Sequence, residues 1–133
     1  MPTDTLCIPI EVAHEATVGL LQQGAVYDAT LAVRHTSLFP YRCLALRAEL
    51  RYRDALGLDF RVGQPTVWEL PLTDDDGVWL GGTWGSLIQQ SGPLPSSLTF
   101  PYEGSYRLLL TPAYGDSLSL TGLSTLSLSL SFK

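Results

Sequence analysis

The residues best equipped for chemistry in this chain lie between Leu70 and Tyr106. Asp74, Asp75 and Asp76 stand in a row before Gly77, and a hard cation such as calcium takes several carboxylate oxygens around a tight turn. The spacing argues against that use. A calcium loop of the EF-hand type sets its Asp at alternate positions and closes with a distant Glu, and neither condition holds. Three adjacent side chains diverge, so the run reads as a solvated turn in which Gly77 supplies a positive φ. The aromatics offer a second chemistry. Trp79, Trp84 and Tyr102, with Trp68 upstream, are candidates for a flat platform that stacks on sugar or anchors a partner protein. Asp74 and Asp76 are kept with them as acidic neighbours. Against this stands the general burial of Trp, which favours a small cluster packed beneath its own loop.

Bond-breaking chemistry finds less support. Neither His14 nor His35 sits in a local nucleophile motif, and GxSxG and HExxH are both absent. His35 is followed by Thr36, Ser37 and Phe39-Pro40-Tyr41, which reads as a turn at a strand end. Gly81-Gly82-Thr83-Trp84-Gly85 lacks the Lys and the spacing of a phosphate loop. Cys7 and Cys43 have no CxxC partner and only two His to assist them, so a zinc site is not expected. Free thiols and a disulfide both stay open. The reading is a protein without catalytic residues, metal or cofactor.

Composition bounds the class. At 133 residues the chain is expected to form one domain spanning 1–133, with 45% apolar and 16% charged residues. A net charge of -5 argues against nucleic acid, which demands a clustered basic surface. Six Arg do gather between Arg34 and Arg61, but Glu49, Asp54 and Asp59 interleave with them, as alternating strand faces explain. No apolar run approaches the roughly 20 residues that span a bilayer, and MPTDTLCIPI is not a signal segment.

The elements that must position these residues are strands. Period-two alternation runs through Leu6, Ile8, Ile10 and Val12, where Pro9 marks an edge. It recurs in Tyr27–Val33, in Leu44–Tyr52, in Leu58–Val62 after a Gly57 turn, in Val67–Leu72 (again bordering an edge at Pro71), and in Tyr106–Leu110. The cleanest case is Leu126, Leu128, Leu130 and Phe132 alternating with Ser127, Ser129 and Ser131. A strand puts those apolar residues on one face, whereas a helix scatters them. Glu11–Leu21 keeps a weak helical alternative, and Ser86–Gln90 could form one helical turn. Between Leu70 and Tyr106 the expectation is an elaborated connection rather than further strands. Seven or eight strands of this type predict an all-β, antiparallel β-sandwich of Ig-like or jelly-roll-like kind, with a small barrel as runner-up.

Several pieces fall in a recognisable order: Asp4-Thr5-Leu6, Tyr27 to Arg34, Phe39-Pro40-Tyr41-Arg42-Cys43-Leu44, and Leu70-Pro71-Leu72. They continue with Asp74, Asp76-Gly77, Trp79-Leu80-Gly81, Gly85, Leu98, Phe100-Pro101, Gly104-Ser105-Tyr106 and Leu120 to Leu123. Together they resemble the gliding-motility lipoprotein GldH family of Bacteroidota cell envelopes, over nearly the whole chain. The resemblance implies a non-enzymatic lipoprotein on the periplasmic side of the envelope, tethered through a lipidated Cys near its mature start. It implies partners among the proteins of a motility or secretion assembly. This sequence shows no signal peptide and no lipidation motif around Cys7. It is therefore expected to be the mature domain, its only membrane contact an N-terminal anchor belonging to the full-length protein. A carbohydrate- or peptidoglycan-binding module is the alternative, and a small hydrolase assembled from His14 or His35 ranks third.

Overall fold

The computed structural model describes residues 6–13, 21–113 and 121–132, with only the backbone of Ala13 and Trp84. Ten strands follow one another: β1 (Leu6–Ala13), β2 (Leu21–Gln22), β3 (Val26–His35), β4 (Cys43–Arg53), β5 (Asp59–Pro71), β6 (Gly82–Trp84), β7 (Leu87–Pro93), β8 (Leu98–Thr99), β9 (Gly104–Pro112) and β10 (Leu123–Phe132). One sheet has the order β2-β1-β9-β4-β5 and the other β10-β3-β7-β6, with β8 pairing β3. Every ladder is antiparallel except the short β1–β2 contact. This is the expected antiparallel β-sandwich, with ten strands among the described residues in place of seven or eight.

Alternation sets the core. Tyr27, Ala29, Leu31 and Val33 of β3 face Leu44, Leu46, Ala48 and Leu50 of β4, flanked by Leu108 and Leu110 of β9. Each fully buried aliphatic side chain contributes about 1.5–3 kcal/mol of transfer free energy. Trp68 of β5 joins the sheets more specifically, because its indole Nε1 donates to the Gly92 carbonyl at 3.1 Å. Leu126, Leu128 and Leu130 of β10 close the core from the side, and their serine neighbours are exposed.

Three expectations change. The Leu58–Val62 and Val67–Leu72 runs meet in one strand, β5, interrupted by a bulge that inserts two extra residues and leaves the inward phase unchanged. There Glu49 alone stands opposite Gly63, Gln64 and Pro65, because Ala48 pairs Thr66 and Leu50 pairs Val62. The Ser86–Gln90 helical turn does not form, since Leu87 onward is β7 paired to β3. The Leu70–Tyr106 connection itself contains β6, β7 and β8. Their short length and mixed polarity hid them, since two- and three-residue strands carry no period. The expected edges do stand: β5 with Pro71 is terminal, and Pro9 lies beyond the reach of β2. His14 and most of the Glu11–Leu21 helical alternative lie outside the described residues.

Candidate functional site

Asp74, Asp76 and Trp79 share the loop after β5. The Asp74 carboxylate accepts from the amides of Asp76 and Val78, each at 2.9 Å, while the Asp74 amide donates to the Val78 carbonyl. Gly77, at φ 82°, donates back to the Asp74 carbonyl and completes the turn. The same pattern is built at Asp54, whose carboxylate accepts from Leu56 and Leu58 before Gly57. Asp74 is thus committed to holding backbone. Among the described residues no group of three His, Cys, Asp or Glu is placed to hold a metal ion.

The turn lays Trp79 inward. A bridge joins Thr73 to Trp79, the Leu80 amide donates to Leu72, and the amides of Leu72 and Thr73 donate to Arg42. Trp79 is half-buried against His35, with ring centroids 4.7 Å apart, and His35 stacks on Phe39 at 5.4 Å. Tyr41 packs on Phe39 in turn. His35 is fully buried; its Nδ1 lies 2.9 Å from the Thr36 carbonyl, and its Nε2 has no hydrogen-bond partner. This cluster crowns one end of the sandwich, where β4 begins and β5 ends.

Tyr102 stands at the opposite end. Its ring lies 5.0 Å from Tyr52 and 6.0 Å from Phe60, where β4 ends and β5 begins. Trp79 and Tyr102 are therefore separated by the length of β4, about 30 Å for its extended backbone, and form no joint platform. The Trp84 side chain lies outside the described residues. Tyr106, at the start of β9, fixes the Tyr102 loop: its hydroxyl donates to the Tyr102 carbonyl at 2.7 Å and accepts from the Tyr102 amide at 2.8 Å. Burial pushes the Tyr106 phenol up to about 12.

Around Tyr102 the surface is apolar. Leu56 is 87% exposed, Leu58 63%, Tyr102 46% and Phe60 36%. Phe60 projects on the inner-facing side of β5 beyond the cover of the second sheet, as Tyr52 does on β4, and Leu58 immediately precedes the strand. Sequence reasoning passed over Leu56 and Leu58 as binding residues. The signal was present: two leucines flank Gly57 in a hairpin tip, where polar residues are the norm.

Of the gathered Arg residues, Arg47, Arg51, Arg53 and Arg61 alternate along β4 and β5, whereas Arg34 lies on β3 and Arg42 precedes β4. Glu49 lies within 3.3–3.9 Å of Arg51, Arg47 and Arg61, and Asp59 pairs with Arg51 and Arg107. The Arg107 hydrogen bond, reinforced by the charges of Arg107 and Arg51, holds the Asp59 carboxyl below the usual carboxylate range. Cys7 and Cys43 are both free and exposed. A cleft of about 400 Å³ opens beside the β5 bulge between Leu50, Val62, Gln64, Leu94, Leu98 and Leu108. Its lining contains no His, Cys, Asp or Glu.

Fold and surface together define an all-β sandwich domain whose loops display aromatic and aliphatic side chains at its two ends. The chain belongs to the GldH lipoprotein family, whose family model matches residues 12–129. The match runs from β1 into β10 and so includes both ends. As a member of a lipoprotein family the protein is envelope-associated and lipid-anchored. No curated protein and no solved structure matches the chain.

Proposed function

We propose that this domain is a non-enzymatic, periplasm-side interaction component of an envelope assembly serving gliding motility or the linked protein secretion. It docks a partner protein through the apolar end formed by Leu56, Leu58, Phe60 and Tyr102. The observation that carries this reading is that four exposed large apolar side chains, Leu56, Leu58, Phe60 and Tyr102, gather at one end of the sandwich; the other exposed ones among the described residues are Val26, Leu38, Val67, Val78 and Phe132. Tyr and Phe held by neighbouring rings lose little side-chain entropy on binding, which suits them as anchors.

The strand directions support it. Leu6 pairs with Leu110, itself opposite Ala48 midway along β4, and Val12 pairs with Gly104, so β1 starts at mid-sandwich and runs towards the Tyr102 end. A lipid tether preceding Leu6 enters the strand at that level, and the apolar end lies about 20 Å further along β1. In that orientation the patch faces proteins rather than lipid.

Capture from native envelopes tests the reading. The wild-type domain is expected to recover a discrete partner protein. Leu56→Asp with Leu58→Asp, folded by circular dichroism, is expected to lose it by tenfold or more, while Val78→Asp at the opposite end retains it. Equal recovery by the folded double variant would remove the apolar end from the function.

A further inference from the structure

The sandwich has four sheet edges, and three of them are guarded. β5 carries Pro65, Pro71, a bulge and the charges of Arg61 and Glu69. β6 has three residues, and β2 has two; where β2 stops, β1 presents Pro9 and Glu11. Short length, proline, bulges and charge are the means by which proteins keep a sheet edge from pairing with another chain. β10 has none of them. Its ten residues contain no Pro, no Gly and no charged side chain, and among the described residues it pairs only with β3. Among the described residues nothing pairs with the amides and carbonyls along its outer side.

We propose that β10 pairs antiparallel with β10 of a second copy of this chain, joining two sandwiches across a two-fold axis. The sequence suits its own inversion. With Ser129 on the axis, Leu128 lies opposite Leu130 of the other copy, Leu126 opposite Phe132, and Ser127 opposite Ser131. Apolar side chains thus stay on the inner face and serines on the outer one throughout. No charge meets its like, although the molecule as a whole carries -5. The groove beside this edge asks for the same pattern. Between β1 and β10 it opens for about 440 Å³, lined by Ile8, Pro9, Ile10, Glu11, Leu21, Leu128 and Leu130. An added strand closes its mouth only if every second side chain is apolar, as in β10. The self-pairing is independent of the docking end, because Leu56, Leu58 and Tyr102 are not part of it.

Sedimentation and site-directed cross-linking test this. The wild-type domain is expected to double in mass with rising concentration, up to about 200 µM. Ser129→Lys sets two like charges face to face on the exposed side, where the monomer fold has nothing to lose, and is expected to weaken the dimer at least tenfold. In a Cys7→Ser, Cys43→Ser background, Ser129→Cys is expected to form a disulfide-linked dimer on mild oxidation, and Ser37→Cys in the loop after β3 is not. A wild type that stays monomeric overturns the proposal. So does a Ser129→Lys variant that dimerises like wild type, or cross-linking of Ser129→Cys no faster than Ser37→Cys.

Discussion

Two side chains illustrate how single residues set the stability of the Tyr102 end. The Tyr106 hydroxyl satisfies both backbone groups of Tyr102. Tyr106→Phe keeps the ring contacts with Phe100 and Tyr52 but strands an amide and a carbonyl. It is expected to cost about 1–3 kcal/mol, read as a lower urea midpoint at constant m value. Because the folded state favours the neutral phenol, this stabilisation is complete below the unfolded value near 10 and fades as pH rises towards 12. Asp59 works in the other direction. Its folded value is depressed by Arg107 and Arg51, so its contribution is present above the unfolded carboxylate value near 3.9 and lost as pH falls through the folded value. Asp59→Asn is expected to flatten the acid limb of the stability curve, and urea melts between pH 2 and 6 would show it. An acid limb identical to wild type would mean that Asp59 is not the group responsible.

Among the elements, the β6–β7 hairpin depends on one glycine. A Cβ on Gly81, which has φ 89°, would sit 2.0 Å from the Gln89 carbonyl oxygen. Gly81→Ala is expected to destabilise the domain by about 2–5 kcal/mol in denaturant melts, from overlap and backbone strain together. Gly82→Ala meets open space and should be close to neutral, so equal effects of the two would refute the steric argument. The same element marks the boundary of what the sequence discloses. β3, β4, β9 and β10 are long enough for their alternation to be read directly from leucines and valines. β6 and β8 are not, because they exist through pairing with β7 and β3 rather than through their own pattern. The β5 bulge defeats the period in a different way: Gly63, Gln64, Pro65 and Thr66 supply no apolar inward residue, so that one strand reads as two although the phase is the same on either side. The turn at Asp74–Gly77 was legible because an Asx turn is local chemistry. The separation of Trp79 from Tyr102 was not, since it depends on which ends of β4 their loops reach.

At the scale of the whole molecule, two aromatic groups cap opposite ends. A line of rings runs from Phe132 through Tyr27, Phe100 and Tyr106 to Tyr52 and Tyr102, joining the end of β10 to the apolar docking end. The order of the sheets has a kinetic consequence. β1, first in the chain, is held by β9, and β3 is held on one side by β10, the last strand. The β4–β5 hairpin can form early, but neither sheet is complete until almost the whole chain is present. Loop closure over such separations is slow, in the millisecond-to-second range for β-sandwiches. A chain delivered N-terminus first therefore waits with the flank of β1 bare until Gly104–Pro112 arrives and that of β3 bare until Leu123–Phe132 does.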